Sequence, residues 1–82
     1  MQVLLSKDAQ KQFKKLPENE QLKVKRKLLT LKQDPQAGKK LAGELKDFRS
    51  LKVWPYRILY EINTLEKRIE IHKIAHRQSA YK

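Results

Sequence analysis

Leu51-Lys52-Val53-Trp54-Pro55-Tyr56-Arg57-Ile58-Leu59-Tyr60-Glu61-Ile62 is the stretch on which the fold turns. It lies in a region where β-favouring residues dominate, from Leu45 onward. Trp54-Pro55 divides it into two strands, because proline cannot donate to a central ladder. In the second strand Tyr56, Ile58, Tyr60 and Ile62 alternate with Arg57, Leu59 and Glu61. That period of two gives one apolar face and one mixed face. Asn63-Thr64 sits where a hairpin turn is expected. A last strand, 68–75, carries Ile69, Ile71 and Ile74, and the tail from His76 to Lys82 is polar apart from Tyr81.

On the N-terminal side the period changes. Val3-Leu4-Leu5 reads as a first strand, and Ser6 as the N-cap of a helix over 7–16. Asp8 suits the positive end of that helix. Ala9, Phe13 and Leu16 form one helical stripe, and Pro17 stops the run. A second helix starts near Glu18 or Asn19 and runs to about Gln33, with Val24, Leu28 and Leu31 on one face and Leu22 and Leu29 widening it. The short link predicts a helical hairpin, and 35–40 reads as loop. The order is β-α-α-β-β-β. The expected fold is α+β, an antiparallel sheet packed on one face by the hairpin, in a single domain spanning 1–82.

The chain has 82 residues, no cysteine and a formal net charge of +11. Disulfides and cysteine-based zinc sites are excluded. No apolar run reaches the length of a membrane span or a signal peptide, so a soluble, cytoplasmic protein is expected. The charge points to a polyanion: nucleic acid first, then an acidic protein, then an anionic membrane surface. The alternative is a lysine-rich solvated surface.

Lysine and arginine are distributed differently. Residues 1–40 hold ten lysines and only Arg26, whereas Arg49, Arg57, Arg68 and Arg77 lie in the β half. Arginine carries a planar fork suited to phosphate. Arg57 points away from the tyrosine face, either as a phosphate ligand or as a strand arginine paired with Glu61 or exposed beside it. His76-Arg77, with Tyr81 four residues on, brings a proton-exchanging ring, a fixed cation and a hydroxyl together at a strand exit. In a regular strand His72 and His76 share a face with Glu70. Such a set is weak ground for a metal, and none is expected.

The stretch from Leu41 to Ile62 resembles the central signature of RelE toxins in the RelE/ParE toxin–antitoxin superfamily. Ala75-His76-Arg77 with Tyr81 resembles the family's C-terminal signature, and the helix ending Lys15-Leu16-Pro17 also fits. The resemblance implies a ribosome-dependent mRNA endoribonuclease that needs no metal or cofactor. It cuts in the A site by attack of a ribose 2′-OH on the adjacent phosphate. Carried over, Arg57 grips the scissile phosphate and Arg77 stabilises the transition state or serves the leaving group. Tyr81 stacks on or orients the nucleotide, and Lys52 matches a lysine proposed as base, with Arg49 as the alternative. His76 stands where another basic residue can occur and could take over acid–base work. Lys46 and Arg49 are expected RNA contacts. The implied partners are an acidic, partly disordered antitoxin, mRNA and the rRNA of the A site; the toxin alone is expected to be monomeric, and no membrane is involved. The same superfamily also implies a ParE-like alternative, a gyrase-binding toxin without nuclease activity.

Overall fold

Ser6 closes the first strand, β1 (Gln2–Leu5), and opens the first helix, α1 (Lys7–Lys14), in the computed structural model, which describes residues 1–78. Its Oγ accepts the Ala9 N–H at 3.0 Å and donates to the His72 carbonyl at 3.1 Å. One hydroxyl thus caps a helix and ties its start to a distant strand. Ser6→Ala is expected to cost about 1–2 kcal/mol. In a domain of this size that lowers the thermal midpoint by roughly 5–10 °C. A calorimetric midpoint unchanged in the variant counts against the double role.

Pro17 accepts the Glu20 and Gln21 amides at the start of the second helix, α2 (Glu18–Gln33). The Gln21 side-chain amide donates to the Phe13 and Leu16 carbonyls, which fixes the turn between the helices. Ala9 of α1 and Val24 and Leu31 of α2 are fully buried. Leu28 packs partly against the core, but Leu22 and Leu29 remain exposed. The apolar stripe of α2 is therefore narrower than its sequence suggests, because the helix meets the sheet along one line of contact.

Among the described residues the sheet has five strands, in the order β1-β5-β4-β3-β2. They are β1, the two-residue β2 (Lys39–Lys40), β3 (Arg49–Val53), β4 (Tyr56–Asn63) and β5 (Arg68–His76), with a short 3₁₀ turn at Gly43–Leu45. Strands β2 to β5 run antiparallel, as expected. β1 lies parallel to β5, with Val3 opposite Ile69 and Leu5 opposite Ile71. The two helices are the crossover that such a parallel pair requires. Within the expected loop, Lys39 and Lys40 pair with Ser50 and Arg49. The β4–β5 turn starts at Asn63, whose Oδ1 accepts the Glu66 amide, and ends with Lys67 in the left-handed region at φ 53°.

Leu51, Val53, Ile58, Tyr60, Ile69, Ile71 and Ile74 line the face that meets the helices. Burying each aliphatic side chain of this kind contributes about 1.5–3 kcal/mol. Tyr60 is wholly buried, yet its hydroxyl donates to the Pro35 carbonyl at 2.7 Å and accepts the Gly38 amide at 2.9 Å. The polar group is thereby satisfied where no water reaches it, and the loop after α2 is fastened to the sheet.

Candidate active site

The edge of the sheet where β3 ends, β4 begins and β5 ends gathers most of the residues singled out in the sequence. Lys52, Arg57 and Ala75 form one rung across β3, β4 and β5. They stand on the face opposite the helices, because Leu51, Val53 and Ile58 take the other. Directly opposed side chains are separated by about 5 Å at Cβ, and like charges there repel. No ion pair among the described residues relieves Lys52 or Arg57. The pairing of Arg57 with Glu61, one form of the structural alternative, is not formed: Glu61 instead lies 3.1 Å from His72 Nε2. A lysine–arginine rung without a carboxylate partner among the described residues, on an open sheet face, suits an anion such as a phosphodiester.

The adjacent rung is Val53, Tyr56 and His76. His76 is exposed and sets its ring edge-on to Tyr56, with centroids 6.0 Å apart. Its Nδ1 accepts the Gln78 amide at 3.4 Å, which leaves Nε2 to carry the proton in the neutral ring. Arg77 follows; its amide donates to the Pro55 carbonyl at 2.9 Å, and its guanidinium lies 4.5 Å from the centroid of the Trp54 ring. Lys52, Arg57, His76 and Arg77 thus share one end of the sheet. His76 stands on the Tyr56 side of β5, not on the Arg57 face.

A β-bulge explains this placement. Lys73 pairs with Leu59 but Ile71 pairs with Tyr60, so β5 carries one extra residue, His72. The extra residue reverses the alternation of β5. His72 and His76 consequently do not share a face, contrary to the period-two expectation. His72 joins Glu61 and Glu70 instead, their nearest ligand atoms all within 4.8 Å of one another. Those groups are engaged as the pairs His72–Glu61 and Arg68–Glu70.

The remaining expected residues lie apart. Arg49 is opposite Tyr60 on the helix-facing side and donates to the Gly38 carbonyl at 2.9 Å. Its guanidinium fastens a loop, and it is not brought to the Lys52–Arg57 rung. Lys46 ends the 3₁₀ turn and is exposed. Tyr81 lies outside the described residues.

Four residues at this end were not singled out in the sequence. Trp54 is 59% exposed at the β3–β4 turn. Lys23, Arg26 and Lys27 of α2 face it across a groove of about 430 Å³ that Lys52 and Val53 also line. Their spacing of i, i+3 and i+4 marks one helix face, a signal available in the sequence.

This geometry is that of a small toxin built on the RelE/ParE plan. The sequence model described as ParE toxin of the type II toxin–antitoxin system parDE matches residues 3–81, and the chain belongs to that family, a branch of the RelE/ParE superfamily. Solved structures agree on the fold. The chain is 27% identical to a toxin chain in the RelBE2 toxin–antitoxin complex of Mycobacterium tuberculosis, covering 92% of this chain and 95% of that one, with a TM-score of 0.85. The isolated RelE toxin of Escherichia coli is 22% identical, with 92% and 82% covered and a TM-score of 0.80. A chain of the archaeal RelE–RelB complex from Pyrococcus horikoshii is 24% identical, with 96% and 97% covered and a TM-score of 0.77. Comparison with curated proteins finds no match. No helix among the described residues is long and apolar enough to cross a membrane.

Proposed function

We propose that this toxin is a ribosome-dependent mRNA endoribonuclease. The observation that carries the reading is the Lys52–Arg57 rung, two opposed cations on an open face without a described carboxylate partner. Cleavage by the neighbouring 2′-OH places extra negative charge on the phosphate as the new bond forms. Arg57 supplies fixed positive charge to those oxygens, and Lys52 stands next to it as base or further cation. His76 in its imidazolium form, with Nδ1 protonated and released from the Gln78 amide, gives its Nε2 proton to the leaving 5′-oxygen and returns to the neutral ring, and Arg77 steadies the charge there. No metal enters this scheme. The partner that restrains the toxin is an acidic antitoxin, in keeping with the RelB complexes of the structural relatives. A surface of +11 gives such a partner fast, salt-sensitive association.

The ParE description of the matching family favours a second reading, a gyrase-directed toxin. Primer extension on mRNA after induction, with and without ribosomes, separates the two. Cuts within codons at the A site support the nuclease. Intact message together with trapped gyrase–DNA complexes supports the other reading. Within the nuclease reading, His76→Gln is expected to slow cleavage by roughly 10²-fold if the ring transfers a proton. A single-turnover rate equal to that of the parent chain would remove His76 from the chemistry.

A further inference from the structure

The groove between α2 and the free edge of β3 enters the scheme above only through Lys52. β2 pairs only with Arg49 and Ser50, so among the described residues β3 has no strand neighbour on that side from Leu51 to Val53. Lys23, Arg26 and Lys27 form one wall, and Lys52, Val53 and Trp54 the other. Lys52 belongs both to this groove and to the rung with Arg57, so it links the cations of the open sheet face to those of α2. Glu20 pairs with Lys23, but none of the ion pairs among the described residues involves Arg26, Lys27 or Lys52. Trp54 stands at the corner of this path, with Arg77 stacked on its ring and more than half of its surface still exposed.

We infer that this groove is a track for single-stranded RNA flanking the cut, with a base stacked on Trp54 and the phosphates held by Lys23, Arg26 and Lys27. The inference rests on the nuclease reading for its choice of polyanion. A row of cations tracking a backbone, with an exposed aromatic ring beside it, is the general arrangement for unpaired nucleic acid. A duplex does not fit, because its bases are stacked on one another and offer no face to the ring. Arg77 gives Trp54 a second role as a positioning residue, since the stacked guanidinium is aimed by the ring. Stacking on Trp54 therefore couples the seating of a flanking base to the placement of Arg77.

The chain contains one tryptophan, so its fluorescence reports on this corner alone. The probe is a single-stranded RNA of about 12 nucleotides, long enough to span such a track, with 2′-O-methyl groups that block cutting. Titration into the purified chain is expected to quench Trp54. Lys23→Ala/Arg26→Ala/Lys27→Ala changes only exposed side chains, and its fold is checked by circular dichroism. It is expected to weaken binding at least 10-fold and to reduce the salt slope by about 2, at roughly 0.7 for each phosphate that is no longer neutralised. Saturable binding without a change in Trp54 emission, or an unchanged affinity and slope in the triple variant, overturns the track. Quenching by an acidic peptide but not by RNA also overturns it, and assigns the groove to a protein partner. The nuclease reading fails separately: RNA that binds through these residues and is never cut on ribosomes leaves the track standing without the reaction. Cutting by the triple variant with parental RNA affinity leaves the reaction standing without the track.

Discussion

Arg57→Ala is expected to reduce ribosome-dependent mRNA cleavage by about 10²–10³-fold, the usual effect of removing a fixed donor to a developing oxyanion. The fold should survive the change. Arg57 stands on the open face opposite Lys52 and Ala75, and no described ion pair depends on it. Removing one of two opposed cations also relieves cross-strand repulsion. The thermal midpoint should therefore hold or rise slightly while activity collapses. Arg57→Lys distinguishes charge from geometry: a lysine restores the charge but not the two-pronged grip, so only partial recovery is expected. Full toxicity in cells from a folded Arg57→Ala chain would be incompatible with the proposed chemistry.

The second large effect concerns stability. Gly38 is buried against Tyr60, and a Cβ there would lie 2.6 Å from the Tyr60 ring and from its hydroxyl. The ring cannot retreat without surrendering its bonds to the Pro35 carbonyl and the Gly38 amide. Gly38→Ala thus combines overpacking with the loss of buried hydrogen bonds, about 3 kcal/mol or more together. Against a total stability of about 4–12 kcal/mol for a chain of this length, that is a large fraction. A fall in the melting midpoint of at least about 12 °C is expected. Tyr60→Phe in the same background removes the struck hydroxyl and should recover part of the loss, so the two changes are non-additive. A midpoint within a few degrees of the parent would show that the loop gives way freely.

The same tyrosine sets an alkaline limit. Burial pushes its hydroxyl above the usual tyrosine value of 10.0, while the Gly38 amide and the Arg49 charge pull the other way. Its folded value exceeds its unfolded one, so its contribution is complete below pH 10 and is lost as pH rises through the folded value. Denaturant midpoints should fall above that pH in the parent and less steeply in Tyr60→Phe.

Much of this architecture was legible in local sequence. Ser6 as cap, Pro17 and Pro55 as breakers and the Tyr56-to-Ile62 alternation depend on neighbours close in the chain, and each appears where expected. The features that were not legible depend on partners far away. The parallel seat of β1 beside β5 is set by helix packing. The engagement of Arg49 with Gly38 depends on how the loop after α2 is tied to Tyr60. The bulge lies between these cases. The step from Ile69 and Ile71 to Ile74 breaks the period of two, and that irregularity was the visible trace of a strand that changes face. Because of it, His76 falls on the Tyr56 side of β5. The face taken by Arg57 followed from simple alternation, but its pairing with Lys52 required the β3–β4 register, and the groove wall of Lys23, Arg26 and Lys27 required the docking of α2.

The seat of β1 has a consequence for how the molecule comes into being. Among the described residues β1 finds its strand neighbour in β5 alone, and the Ser6 hydroxyl meets a carbonyl 66 residues further along. A chain emerging from the ribosome therefore carries its first strand without a companion until residues 68–71 have been made. Closing so long a loop is slow compared with pairing of adjacent strands. The rung of Lys52 and Arg57 is completed by the same late strand, through Ala75. For a protein proposed to attack translation, the weapon is thus assembled only after residues 68–75 have left the machinery that makes it.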